Sequence, residues 1–219
     1  MEKTILNDTQ IRVLNVISKN KDLCEKFYLS GGTALAEFYL QHRLSEDLDF
    51  FSEDEFDLSS IVVFLKTNKK IIGYDTMDFQ NSFNRNLFFL KFKNEILKME
   101  FTYYPFERIE NTIKKNWLYV DSLIDIAVNK LFTIYQQPRS RDFIDLFLIL
   151  KKQNFKLEDL IKMASIKFDT NIDYLQLGAK FSLSNSVKDF PRMIEKLPKE
   201  IWQSYFVDLG VGFKNKFLK

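Results

Sequence analysis

Asp47 and Asp49 stand two residues apart in Arg43-Leu44-Ser45-Glu46-Asp47-Leu48-Asp49-Phe50-Phe51. Residues at that spacing on a strand face the same way, so both carboxylates would project together, flanked by apolar Leu48 and Phe50. Like charges that close repel and raise a pKa unless a cation lies between them. An Mg²⁺ held by carboxylates and by substrate phosphates suits the arrangement. So does an exposed acidic edge, since Ser52-Glu53-Asp54-Glu55 continues the acidic run. A third acid sits in Ile96 to Tyr104, where Leu97, Met99, Phe101 and Tyr103 alternate with Lys98, Glu100 and Thr102. If that strand pairs beside the first, Glu100 joins the aspartates in a two-metal carboxylate cluster; if not, it is a solvent-facing Glu.

Ser30-Gly31-Gly32-Thr33 precedes this acidic segment. Two glycines between a strand and a helix let backbone approach a ligand closely. The free N–H groups of the helix start suit phosphate oxygens, and Thr33 adds a hydroxyl. A tight strand-to-helix turn would use the same residues. No Gly-Lys-Ser/Thr follows, which excludes a P-loop. Farther along, Lys130 can neutralise a triphosphate, and Asp142 and Asp145, three apart on one helix face, can orient Lys130 or a base. Alternatively Ser140 is an N-cap and Asp142 sits in a first turn that favours any carboxylate. Asp125 fits the capping box Ser122-x-x-Asp125. One histidine, His42, excludes a His-based metal site or a Ser–His–Asp triad, and one cysteine, Cys24, excludes an intramolecular disulfide or Cys-rich zinc site.

The elements that must position these residues follow from periodicity. Helical spacing predicts helices over Thr9 to Lys19, Thr33 to Arg43, Ile61 to Thr67, Ser122 to Gln136, Ser140 to Lys152 and Leu157 to Lys167, with weaker helical segments beyond. Strands are predicted at Phe27 to Leu29 and Leu48 to Phe51. A β-rich middle follows at Ile71 to Phe79, Asn86 to Lys93 and Ile96 to Tyr104, read as a meander or hairpin extending the same sheet. The fold class is α+β: a mixed sheet flanked by helices, then a helical C-terminal part, divided as residues 1–120 and 121–219.

Of 219 residues, 46% are apolar and 28% charged, which excludes wholesale disorder and membrane integration. The charged opening MEKTILNDTQ reads as no secretory signal, and a cytoplasmic setting is expected. Residues 151–219 carry 13 Lys and Arg against 8 Asp and Glu, net +5, while residues 1–150 carry 19 against 22, net −3. A basic back third can approach a phosphate backbone; solvated helix surface would give the same count.

Gly-Gly-Thr at a helix start, followed by Arg-x-Ser-x-Asp-x-Asp-Phe-Phe, resembles the nucleotidyltransferase superfamily with the polymerase-β-like palm. More narrowly it resembles the AbiEii-type toxin nucleotidyltransferases of abortive-infection and toxin–antitoxin modules. Lys130 in Ile126-Ala127-Val128-Asn129-Lys130-Leu131, and Arg139-Ser140-Arg141-Asp142-Phe143-Ile144-Asp145-Leu146, are similar to two further blocks of that family. The resemblance implies that Asp47, Asp49 and Glu100 bind metal, although many relatives carry Asp at the third position. It implies nucleotide contacts from Gly31, Gly32, Thr33, Ser45 and Lys130, with Lys130, Asp142 and Asp145 also catalytic. It further implies an Mg²⁺-dependent enzyme in which an acceptor hydroxyl attacks the α-phosphate of an NTP and releases pyrophosphate. One metal would activate the acceptor and the other would hold the triphosphate. The enzyme would be a toxin checked by a cognate antitoxin. The favoured acceptor is RNA, tRNA in particular, reached by Lys151, Lys152, Lys156, Lys162 and Lys167. Protein nucleotidylation, a metal-dependent nuclease and a non-catalytic binding module on the same fold are the competing readings.

Overall fold

The computed structural model describes residues 4–115 and 118–217. The chain divides into two compact units. One comprises Met1–Tyr39, Leu44–Glu107 and Asn111–Ser122; the other comprises Leu40–Arg43, Arg108–Glu110 and Leu123–Lys219.

The first unit opens with α1 (Asp8–Ile17), started by a capping box in which Asn7 and Gln10 exchange side-chain and backbone hydrogen bonds. Then come α2 (Lys21–Lys26), β1 (Tyr28–Ser30), α3 (Gly31–Leu35), which runs on as a π-helical turn over Ala36–Leu40, and β2 (Leu48–Ser52). Next are α4 (Leu58–Thr67), α5 (Lys69–Ile72), β3 (Thr76–Ser82), β4 (Arg85–Lys91), β5 (Ile96–Tyr103), β6 (Ile113–Lys115) and β7 (Leu118–Val120). The seven strands form one mixed sheet in the order β3-β4-β5-β2-β1-β7-β6.

Period-2 alternation sets the faces. Leu48 and Phe50 of β2 and Met99 and Phe101 of β5 are fully buried, and the Phe50 and Phe101 rings stack at 5.0 Å. Burying such side chains contributes roughly 1.5–3 kcal/mol each, which pins the register and with it the opposite, polar face. β3, β4 and β5 form the expected meander, and β5 lies parallel to β2.

Two expectations are corrected. The stretch Ile71 to Phe79 is not one strand: α5 ends at Gly73, whose φ of 86° is a left-handed cap open to glycine, and β3 starts only at Thr76. The helix expected to reach Arg43 stops at Leu40, and Arg43 instead bridges to Met193. Strands β6 and β7 add two short elements that periodicity did not single out.

The second unit is helical: α6 (Leu123–Gln136), α7 (Ser140–Lys152), α8 (Leu157–Lys167), α9 (Tyr174–Ser182) and α10 (Lys199–Phe217). Its aromatic core joins Phe143 to Phe206 at 4.9 Å and Phe181 to Phe206 at 5.1 Å. Trp202, Phe206, Gly210 and Phe213 fall on the buried face of α10 at spacings of four, four and three. Among the described residues no helix is long and apolar enough to cross a membrane.

Candidate active site

In the first unit β2 and β5 place Asp49 and Glu100 as register partners. Neighbouring residues of a parallel pair share a face, and Asp47, two residues before Asp49, is carried by the segment entering β2. Lys98, two residues before Glu100 on β5, ties the acids together: its ammonium lies 3.0 Å from Asp47 Oδ2 and 3.9 Å from Glu100 Oε2. Arg85 at the start of β4 donates a bidentate fork to Glu100, with both bonds at 2.6 Å, and Thr102 Oγ1 donates to the same carboxylate at 2.8 Å. Burial pushes the Glu100 carboxyl up, but the Arg85 fork, then Thr102, hold it below the usual carboxylate range.

The Gly-Gly-Thr turn is built around these aspartates. Gly31 has φ 70°, and a Cβ there would stand 2.5 Å from Asp49 Oδ2. Its backbone therefore approaches the Asp49 carboxylate as no other residue's could. Gly32 is partly exposed at the first turn of α3. Thr33 is a correction: its side chain is fully buried and its hydroxyl donates to the Asp47 carbonyl, so it positions Asp47 and offers no hydroxyl to a phosphate. Ser45 anchors the same loop through its carbonyl, which accepts from Gln10 Nε2 at 2.8 Å.

The donor set suits a hard divalent cation, since it consists of carboxylate oxygens. The Lys98 ammonium already lies between Asp47 and Glu100, so the fold holds positive charge among these acids. As folded, however, Glu100 is engaged by Arg85, and no group of three His, Cys, Asp or Glu among the described residues is arranged to hold a metal ion.

In the second unit Lys130 on α6 is buried, its ammonium 2.8 Å from Asp142 Oδ1 and 2.7 Å from Asp145 Oδ2. Arg139 Nε donates to Asp142 at 2.8 Å. Asp145 also receives Arg43 Nε at 2.7 Å, Arg43 Nη2 at 2.8 Å and His42 Nε2 at 2.7 Å. Lys130 is thus neutralised by two aspartates of its own unit, as desolvated ions must be. Burial opposes ionisation of both acids. Lys130 chiefly, with Arg139, holds Asp142 below the usual range; Lys130 and then Arg43 hold Asp145 well below it.

Sequence reasoning singled out neither Arg85, Lys98 nor His42 as a partner of these acids. Lys98 had a signal, since it shares the Glu100 face at i−2. Arg85 and His42 had none, because their partners are 15 and 103 residues away. One other residue is corrected. Lys167 is buried on Asp125 at 2.6 Å and is not a surface cation. Asp125 stays structural: it accepts from the Ile109 and Glu110 N–H groups at 2.9 and 3.0 Å. Of the other basic candidates, Lys152 pairs with Glu195, Lys151 lies over Tyr205, and Lys156 and Lys162 are exposed.

Comparison with known proteins adds independent findings. The family model described as "Nucleotidyl transferase AbiEii toxin, Type IV TA system" matches residues 12–216. An uncharacterized protein of Aquifex aeolicus (strain VF5) is 33% identical over 156 residues, covering 69% of this chain and 70% of that protein. JHP933 from Helicobacter pylori superposes with TM-score 0.57 at 18% identity, covering 96% of this chain and 94% of that one. The nucleotidyltransferase toxin MenT4 of Mycobacterium tuberculosis superposes with TM-score 0.53 at 13% identity, covering 95% and 84%. These structures share the fold, a mixed sheet flanked by helices.

Proposed function

This chain belongs to the AbiEii family of nucleotidyl transferase toxins and is a nucleotidyltransferase, and on that footing we propose that it moves an NMP from a bound NTP to a hydroxyl of RNA, tRNA in particular. The observation that carries the reading is the pairing of Asp49 with Glu100 across β2 and β5, with Gly31 pressed against the Asp49 carboxylate.

Asp47 and Asp49 would hold Mg²⁺, with Glu100 as third ligand once released from Arg85. When bound, Mg²⁺ would supply charge neutralisation at the reacting phosphate and at the acceptor oxygen. The protein's own residues do the rest. Gly31 and Gly32 leave room for backbone N–H groups to meet phosphate oxygens at the start of α3. Thr33 fixes Asp47, and Arg85 and Lys98 hold the acids in place by charge. In the second unit Lys130, Asp142 and Asp145 are proposed as catalytic, with Arg43 and His42 fixing Asp145. Support for RNA as acceptor is the net charge of +5 on residues 151–219, where Lys156 and Lys162 are exposed. As a toxin of this family, the enzyme would be countered by a cognate antitoxin.

The test is incubation of the protein with each α-labelled NTP, Mg²⁺ and cell extract, followed by separation of RNA from protein. Label on RNA that disappears with EDTA and with Asp49→Ala supports the reading. Label on a protein band and none on RNA overturns the acceptor, and strand cleavage without incorporation overturns transfer.

A further inference from the structure

The most exposed large apolar side chain among the described residues is Phe83, 98% exposed at the tip of the β3–β4 hairpin. Ser82 and Arg85 are register partners, so Phe83 and Asn84 alone make the turn. Two-residue hairpin turns that need φ > 0 favour Gly, Asn or Asp. Here a bulky aromatic holds φ 52°, a backbone region such side chains rarely adopt. Folding alone explains neither feature: the ring covers no core, and glycine would make the turn with less strain.

We propose that Phe83 is a stacking platform for an unpaired base of a single-stranded polynucleotide acceptor, held beside the carboxylate cluster. The proposal rests on the nucleotidyl-transfer reading and identifies how that acceptor is engaged. Three observations support it. The tip is anchored to the acids' strand: Tyr103 N–H on β5 donates to the Asn84 carbonyl at 3.0 Å, and Arg85, next in sequence, forks Glu100. The anchored turn keeps the ring next to the acids' strand, where its face can stack on a base. Next, the neighbours are Gln80, Asn81, Ser82 and Asn84, all exposed. These amides and hydroxyls can hydrogen-bond the edges of a splayed base, whereas a protein partner would find one ring and little other apolar area. Last, the reach fits. Phe83 precedes Leu87, the register partner of Glu100, by four residues. Two of those residues run along β4, roughly 7 Å, and the turn adds a few ångströms more, so the tip stands about 10 Å away, or about three stacked nucleotide steps. A strand whose reacting end lies at the carboxylates thus passes Phe83 within its last few nucleotides.

The test measures binding without NTP, so it is independent of turnover. The probes are a fluorescein-labelled single-stranded RNA of about 12 nucleotides, within the range of stacking sites, and a duplex of the same sequence. Phe83→Ala is expected to weaken single-strand binding roughly 5- to 150-fold, the span of one lost base stack. Phe83→Trp should bind as wild type, with fluorescence quenched by the RNA beyond any quenching in wild type. Phe83→Gly, which suits the turn, should hold or raise the thermal midpoint and still lose binding, a separation no structural role would give. In transfer assays Phe83→Ala should raise KM for RNA and leave KM for NTP unchanged. Equal binding by wild type and Phe83→Ala overturns the proposal, as does a preference for the duplex. So does label on a protein acceptor that Phe83→Ala diminishes. Wild type that binds single strands through Phe83 but transfers nothing overturns the transfer reading and leaves the platform standing.

Discussion

Replacing Gly31 with Ala tests whether the turn exists to seat the Asp49 carboxylate. Two costs are separable. Holding Ala at φ 70° costs about 1–2 kcal/mol, because a Cβ crowds the following carbonyl there. For a chain of this size that lowers Tm by roughly 2–8 °C. The new Cβ also meets Asp49 Oδ2 at 2.5 Å and Cγ at 3.2 Å, so the carboxylate must retreat by about 1 Å, a displacement that can cost about 10²-fold in rate. Labelled-NTP incorporation should therefore fall about a hundredfold while circular dichroism reports a folded protein. The assay is completed by Asp49→Ala and the double variant. With the carboxylate gone the nearest contact relaxes from 2.5 to 3.3 Å, the Asp49 Cβ, so Gly31→Ala should then cost little beyond its backbone strain. Near-wild-type activity of Gly31→Ala would refute the reasoning. So would an equal stability loss with and without the Asp49 carboxylate.

Asp49→Ala alone is expected to abolish incorporation with a thermal midpoint within a few degrees of wild type, since it removes a partly exposed group from a like-charged cluster; retained incorporation refutes its role. Lys130→Met should behave differently, losing about 3–5 kcal/mol in urea unfolding because Asp142 and Asp145 are deprived of a shared buried counter-ion; a purely kinetic defect would contradict the geometry. Glu100, Asp142 and Asp145 all titrate below their unfolded values. Their contribution to stability is thus full above the unfolded range near pH 4 and is lost as pH falls through the depressed values. Urea midpoints at pH 7, 5 and 3 should fall steeply only at the last step, and less so in Asp142→Asn. Neutralising exposed Lys156 and Lys162 together should flatten the salt dependence of transfer to tRNA by roughly 0.7–0.9 log units for each phosphate no longer neutralised; an unchanged slope makes them surface only.

The pairing of Asp49 with Glu100 was legible because it follows from period-2 alternation. Leu97, Met99 and Phe101 needed burial, so Glu100 had to take the other face with Lys98 and Thr102. Placing that strand beside β2 then aligned Glu100 with Asp49. Elements with mixed signals were less legible. Ile71 and Ile72 look like a strand start, yet Gly73 closes a helical turn there and Ile72 alone of the two is buried. The long α10 was only a weak segment, because Gly210 and Gly212 interrupt a pattern that close helix packing in fact requires at Gly210, whose Cβ would meet the Gly178 carbonyl at 2.6 Å.

The counter-ions were the least legible part, for a physical reason. Acids gather at a site for chemistry, and their types and spacing advertise it. The cations that let such a cluster fold can come from any segment that reaches it, and solvation rather than spacing selects them. Asp145 draws Arg43 and His42 from 102 and 103 residues away, and Glu100 draws Arg85 from a hairpin end. Each pairing follows once burial is known: Asp145 has no exposed surface and Glu100 is 5% exposed, so an unpaired charge at either place would cost several kcal/mol. A reading of sequence alone should therefore treat every buried acid as an unanswered question about a distant cation. In this chain Lys98 and Arg139 had a local signal, because a strand brings i and i−2 to the same face and a helix start brings i and i+3 together.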